Sequence, residues 1–184
     1  MDTLKIINEY YEEGTLLYDI LVTHSRAVAQ KALDIAEMHP KMNLDKNFIY
    51  GAAMLHDLGI FKTKAPEIYC FGELPYICHG SVGSEILMKM GYEKHALVCE
   101  RHTGTGLTLE EILNNHYPIP SRNMIPETLE EKLICFADKF YSKTNLNKEK
   151  SIEKIRMGLA KYGYKSVERF DEWCKLFLEN KHYN

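Results

Sequence analysis

The sequence lacks a long apolar run. None of its 184 residues belongs to a stretch near the ~20 consecutive apolar residues that cross a bilayer. The N-terminal segment MDTLKIINEYYEEG carries early acidic residues and no apolar core of signal-peptide length. We therefore expect a cytoplasmic protein with no membrane partner.

The sequence also lacks the cysteine spacing of a disulfide framework or a zinc ribbon. Its five cysteines are odd in number and form no CxxC pair. We expect reduced thiols that are mostly buried, as in a cytoplasmic protein. None of them stands in the sequence context of a catalytic nucleophile. They are Cys70, Cys78, Cys99, Cys135 and Cys174.

Neither sign of charge is in large excess. Lys and Arg number 23 against 26 Asp and Glu, which gives a formal net charge of −3. A protein that binds nucleic acid through its phosphates usually shows a basic patch or stripe, and no clear stripe is present. We therefore expect a small-molecule partner rather than a nucleic acid.

Period-two alternation and internal repeats are absent as well, and the hydrophobic pattern is helical almost throughout. We therefore predict an all-α, single-domain helical bundle over residues 1–184. The motif-bearing core is expected at about 16–142, with C-terminal helices at about 148–180 packing on it. The predicted helices are 16–38, 45–58, 79–90, 93–102, a short one from Thr108, 126–142, 148–162 and 166–180, with a loop at 61–78 and another at 116–128.

Four residues of metal-ligand type stand where a core would place apolar ones. His24 lies on the apolar stripe of the first long helix, three residues after Leu21. His56 and Asp57 lie in GAAMLHDLGI, and Asp138 lies in the equally apolar LICFADKF. A buried carboxylate costs several kcal/mol unless a cation or hydrogen-bond donors compensate it. A bound metal ion explains all four residues together.

These segments resemble a known family. THSRAVAQKALDIA, AAMLHDLGIFK and CFADKF are similar to the motifs of the HD-domain superfamily of metal-dependent phosphohydrolases, and HDLG matches the variant written HDIG. CHGSVGSEIL and ERHTGTG add His79 and His102, as in the binuclear subset of that superfamily. The resemblance implies the ligand set His24, His56, Asp57, His79, His102 and Asp138.

The resemblance also implies the cofactor and the reaction. Imidazoles and carboxylates suit divalent Fe, Mn, Zn, Co or Ni, and two such ions are expected, with Asp57 between them. Asp57, His79 and His102 are the expected catalytic residues. The expected reaction is hydrolysis of a phosphoester or phosphoanhydride bond in a small nucleotide-like substrate by a metal-activated hydroxide. An open alternative is that His79 and His102 bind substrate beside a single metal ion.

Substrate-binding residues are sought among the remaining basic side chains. Lys62 follows the His-Asp pair and Lys139 follows Asp138, so either could neutralise a phosphate. Further candidates are Arg101, Arg122 and His116. The proline-containing segment 115–124 is a candidate lid, on which Tyr117 could stack against a base.

Three alternatives remain open from the sequence. The HGxxG and HTxG spacing is similar to that of symmetrical diadenosine tetraphosphate hydrolases, but the continuation ADKFYSK and the insertion at 112–128 depart from them. A di-iron HD-type oxygenase would use similar ligands. A non-catalytic nucleotide-binding regulator would retain them for structure. The chain could act as a monomer or a homodimer.

Overall fold

The computed structural model describes residues 1–146 and 148–179, and these are folded mainly into α-helices. The predicted all-α class is confirmed. Short 3-10 turns join several of the helices. The helices are Thr3–Asn8 (α1), Leu16–Met38 (α2), Lys46–Leu55 (α3), His79–Lys89 (α4), Glu93–Arg101 (α5), Leu109–Asn114 (α6), Leu129–Lys139 (α7), Ile152–Leu159 (α8) and Tyr164–Phe177 (α9).

Side-chain caps explain where most of these helices begin. Thr15 accepts a hydrogen bond from the backbone of Tyr18 at the start of α2, and Asp45 accepts one from Phe48 at the start of α3. At α6, Thr108 and Glu111 form a capping box, in which each side chain bonds the backbone of the other.

The structure departs from the sequence-based prediction in three local respects. One is α1, since the sequence pattern predicts no helix before residue 16. The segment 61–78 contains a two-stranded antiparallel hairpin of Lys64–Ala65 (β1) and Cys70–Phe71 (β2). Strands of two residues are too short to show alternation, so the pattern could not reveal them. The predicted helices 126–142 and 148–162 are shorter in the structure, as α7 and α8, and residue 180 lies outside the described residues.

Two groups of buried apolar residues form the core, and α2 takes part in both. The first group includes Leu21 of α2 with the ends of α1, α3 and α5. The second includes Val28 of α2 with α7 and the C-terminal helices. His24 lies between Leu21 and Val28 on α2, at the boundary of the two groups.

The C-terminal helices contribute aromatic side chains to the second group. The rings of Phe170 and Phe177 from α9 lie 5.3 and 5.5 Å from that of Phe136 in α7, between ring centroids. Such contacts stabilise packing beyond the area they bury. Among the described residues, no helix has the length and apolar character needed to span a membrane.

Candidate metal centre

Five structural elements bring six ligand-type side chains to one place. His24 lies in the middle of α2, and His56 and Asp57 lie directly after α3. His79 is the first residue of α4, and His102 follows the last residue of α5. Asp138, near the end of α7, completes the set. His56 and Asp57 are fully buried, and Asp138 is the most exposed of the six, with 12% of its side chain accessible.

Four of these side chains form a first group of donor atoms. The Nε2 atom of His24 lies 3.0 Å from Oδ1 of Asp138 and 3.2 Å from Oδ2 of Asp57. The Nε2 atom of His56 lies 3.0 Å from the same Asp57 oxygen and 3.5 Å from Asp138 Oδ1. Donor atoms bonded at ~2.1 Å to a tetrahedral ion lie ~3.4 Å apart, so the group has the dimensions of a metal site.

Asp57 is also part of a second group. Its other oxygen, Oδ1, lies 3.5 Å from Nε2 of both His79 and His102. The two Nε2 atoms lie 3.0 Å from each other. One carboxylate therefore turns one oxygen toward each group of donor atoms.

Backbone carbonyls fix the tautomers of three of the histidines. The Nδ1 atoms of His56, His79 and His102 lie 2.6 to 2.8 Å from the carbonyl oxygens of Ala53, Tyr76 and Cys99, three residues earlier in each case. Since a carbonyl oxygen only accepts, each Nδ1 donates its hydrogen. The Nε2 atom of each ring is thus directed at the centre, as metal-binding histidines require.

The geometry at His79 and His102 fits a cation. Burial lowers the pKa of His79 to about 3 and also lowers that of His102, so both rings are neutral at ordinary pH. With each Nδ1 hydrogen donated to a carbonyl, two lone pairs face each other across 3.0 Å. Two acceptors at that distance repel unless a positive ion lies between them and Asp57. The donor set contains no thiolate and suits divalent Fe, Mn, Zn, Co or Ni.

The first group also stabilises positive charge. Burial opposes protonation of His56, but the carboxylates of Asp57 and Asp138 raise its pKa to about 9. Oδ1 of Asp57 is buried without a hydrogen bond. The pKa of Asp57 is nevertheless well below its ordinary value, because neighbouring positive charges outweigh the effect of burial.

Two lysines balance the two carboxylates. Lys139 Nζ lies 2.7 Å from Asp138 Oδ2 and donates to the carbonyl oxygen of His102 at 3.0 Å. Lys143 Nζ lies 2.6 Å from Asp57 Oδ2. Burial disfavours both ammonium groups, but the adjacent carboxylates raise the pKa of each, so both remain charged.

Glycines allow the elements of the site to approach closely. A Cβ atom on Gly80 would lie 2.5 Å from the carbonyl oxygen of Cys99, and one on Gly59 would lie 2.2 Å from that of His79. The HTGTG glycines are also closely packed, because Gly104 faces the Tyr162 ring and Gly106 packs against residues 124–126.

The structure brings one of the five predicted substrate-binding residues to the centre. Lys139 contacts Asp138 and His102, as described. The others are placed away from the ligand atoms: the exposed Lys62 lies over the ring of Phe61, and the exposed His116 lies in the loop after α6. Arg101 pairs with Glu127 and Glu131, and Arg122 pairs with Glu100.

The predicted lid segment 115–124 packs on the protein. The backbone of Met124 pairs with Leu107 in both directions, and these residues form a small apolar cluster with Ile112. Tyr117 is partly buried against that cluster. The carbonyl oxygen of Pro118 lies 3.4 Å from the thiol of Cys78, which precedes the candidate ligand His79.

Two residues near the ligands are missing from the sequence-based set. Lys143 lies in the turn after α7, so no helical periodicity could place its ammonium at Asp57. The ring of Tyr76 stacks on that of His79 with centroids 4.6 Å apart. The sequence pattern does not indicate this contact, because the 3-10 turn Tyr76–Cys78 that places Tyr76 beside His79 is not predicted.

The fold and the site together define a helical protein with a buried histidine and aspartate centre suited to divalent metal ions. The family model described as HD domain matches residues 21–142. The chain belongs to the HD-domain family. The predicted family is therefore confirmed.

The chain is similar in sequence to proteins of three organisms. The chain is 36% identical over 121 residues to an uncharacterized protein of Methanocaldococcus jannaschii, a match that covers 64% of each chain. It is 32% and 30% identical over 125 residues to proteins named tRNA (cytidine(56)-2′-O)-methyltransferase in Picrophilus torridus and Thermoplasma volcanium. These matches cover 67% of this chain and 32% of each methyltransferase. No solved structure matches the chain.

Proposed function

We propose that this protein is a metal-dependent phosphohydrolase that cleaves a phosphoester or phosphoanhydride bond in a small nucleotide-like substrate. The observation that carries the proposal is the position of Asp57. Its Oδ2 atom faces His24 and His56, and its Oδ1 atom faces His79 and His102. A carboxylate shared in this way supports two ions at the short separation that phosphoryl hydrolysis uses.

In this proposal the six predicted ligands divide between two sites. His24, His56 and Asp138 share one site with Asp57, and His79 and His102 share the other with it. Divalent ions bound there would acidify water and neutralise charge on the phosphoryl oxygens. Asp57, His79 and His102 are the proposed catalytic residues, since they border the position between the two sites.

The remaining residues hold this set in place. The carbonyls of Ala53, Tyr76 and Cys99 fix three imidazole tautomers, and Lys139 ties Asp138 to the backbone of His102. Such supporting contacts typically change metal affinity or activity by ~10 to 100-fold when removed. Burial of the ligand atoms keeps bulk water from competing with substrate.

The substrate class rests on the family and on the charge of the site. The HD-domain family supports phosphate ester chemistry. The names of two relatives describe methylation of a tRNA ribose, but this chain matches only 32% of each. Those names justify including short RNAs with terminal or cyclic phosphates beside nucleotides in a substrate panel.

The test is hydrolysis by protein stripped of metal and reloaded anaerobically with Fe, Mn, Co, Zn or Mg. The panel contains mononucleotides, dinucleoside polyphosphates and short RNAs with phosphorylated ends. We expect metal-dependent release of phosphate or a nucleotide from one class, with a loss of at least ~100-fold in Asp57→Ala.

The matched control is Asp19→Ala, which removes a carboxylate from the first turn of α2, away from the centre. Asp19→Ala should retain the wild-type rate. Absence of hydrolysis with every metal, in protein shown to bind metal ions, would contradict the proposal. Product that forms only with iron and dioxygen would replace it with oxygenase chemistry.

A further inference from the structure

Lys143 contacts a carboxylate oxygen for which a bound metal ion would compete. Its ammonium lies 2.6 Å from Oδ2 of Asp57, the oxygen that also faces His24 and His56. An ammonium and a divalent ion on the same carboxylate oxygen repel each other strongly, because they lie within ~4 Å in a site of reduced dielectric constant. When a metal ion occupies the first group, Lys143 must therefore leave this position.

The side chain of Lys143 can change position more easily than that of Lys139. Lys139 lies within α7 and its ammonium is held by both Asp138 and the carbonyl oxygen of His102. Lys143 lies in a turn outside α7, closed by the hydrogen bond from the Asn145 amide to the Ser142 carbonyl oxygen. Its flexible four-carbon stem can swing without disturbing a helix.

The surroundings of Lys143 define where its ammonium can go. It already lies 5.9 Å from the ring centroid of Tyr76, which stacks on His79 at the second group. Its side chain is 13% exposed, whereas that of Asp57 is fully buried, so the lysine reaches the ligands from the solvent side. An ammonium displaced from Asp57 therefore remains beside the two metal positions.

The charges of the site indicate which anion the displaced ammonium would bind. Without metal, Lys139 and Lys143 each pair with one carboxylate of the site, Asp138 and Asp57 respectively. Divalent ions give the same site an excess of positive charge, which a phosphate dianion balances. An ammonium at the edge of such a site is a point-charge ligand for phosphate oxygens.

We propose that Lys143 has two positions: it neutralises Asp57 in the metal-free protein, and it binds the phosphate of the substrate once metal displaces it. This inference rests on the proposed function, since it assigns a substrate-binding residue to that site. It makes Lys143 both a competitor of the first metal ion and a determinant of phosphate affinity.

The experiment measures binding in Lys143→Met, with Mn²⁺ and inorganic phosphate as probes. Mn²⁺ affinity without phosphate should rise at least ~10-fold, because the competing ammonium is gone. Phosphate affinity of the Mn²⁺-loaded protein should fall at least ~10-fold, and Lys143→Arg should restore part of it. Lys154→Met, which removes an exposed lysine of α8, should change neither affinity.

Lys143→Gln is the second variant if Lys143→Met does not fold, since its amide can still donate to Asp57. Unchanged or weaker Mn²⁺ binding in a folded variant would overturn the first position. Unchanged phosphate binding would overturn the second. Failure of the proposed function gives a different result. In that case the changes in Mn²⁺ and phosphate affinity would appear, although the wild-type protein hydrolysed no member of the substrate panel.

Discussion

At the scale of the residue, three histidines are oriented by the same backbone hydrogen bond. In His56, His79 and His102, Nδ1 donates to the carbonyl oxygen three residues earlier, and Nε2 faces the centre. Each is placed at or beside a helix end, where such carbonyls are within reach of the side chain. The backbone thereby fixes the orientation of each ring and of its Nε2 atom before any ligand binds, which reduces the cost of assembling the site.

The proton on His56 predicts how metal binding depends on pH. The pKa of His56 is raised to about 9 in the metal-free protein from 6.5, which stabilises that protein at low pH and loses its effect as pH rises through about 9. A metal ion must displace this proton. Mn²⁺ affinity should therefore rise up to ~10-fold per pH unit between pH 7 and 9, with close to one proton released from His56 at pH 7.5.

Titration calorimetry in buffers of different ionisation enthalpy measures both the affinity and the proton count. The control is His39→Gln, which changes a histidine that bonds the carbonyl oxygen of Phe177 rather than the centre. This variant should keep the wild-type slope. A Mn²⁺ affinity that stays constant from pH 7 to 9 would contradict the assignment of His56.

The sequence predicts ligand-type residues better than it predicts their partners. His24, Asp57 and Asp138 stand out because polar side chains in apolar segments are costly without compensation, and the structure does bury them together. Lys143 and Tyr76 reach the site from a turn and a 3-10 segment, where no periodicity fixes side-chain direction. Lys62 follows the motif closely in sequence but lies exposed.

At the scale of the element, the spacing of α4 and α5 sets the second group. Gly80 of α4 lies against the backbone of Cys99 in α5, and Gly83 lies against the side chain of Cys99. This close approach places His79 at the start of α4 beside His102 after α5. A larger residue at the contact would separate the helices, and with them the two imidazoles.

Gly80→Ala tests this dependence. The added Cβ would meet a backbone oxygen at 2.5 Å, so we expect a loss of ~1–3 kcal/mol in the free energy of unfolding. Affinity for the second Mn²⁺ ion should fall more than affinity for the first. Gly158→Ala in α8 is the matched control. It has nothing within 4 Å of the new Cβ and should gain up to ~1 kcal/mol.

Urea unfolding of the metal-free proteins and Mn²⁺ titration give the two readouts. If Gly80→Ala matched Gly158→Ala in both, the helix spacing would not govern the second group. At this scale the sequence predicts the starts of α2, α3 and α6 well, since Thr15, Asp45 and Thr108 cap by local chemistry. The predicted starts of α7 and α8 lie before the observed caps, Thr128 and Ser151, and α1 is not predicted. Helix ends and the hairpin depend on tertiary packing, and they also depart from the prediction.

At the scale of the whole molecule, the site lies between two parts of the core. α2 contributes Leu21 to one group of apolar residues and Val28 to the other, with His24 between them. α9 packs on α7 through Phe170 and Phe177, which supports the helix that carries Asp138. Ligands drawn from separate elements make metal binding a property of the folded chain, so metal should stabilise the fold.

The central claim is that Asp57 is shared by two metal sites. Anaerobic Mn²⁺ titration, with bound metal counted after desalting, tests it most directly. We expect two ions per chain in the wild-type protein, one in the His79→Gln and His102→Gln double variant, and none in Asp57→Asn at the same concentrations. Two ions retained in either variant, or none bound by the folded wild-type protein, would contradict the account.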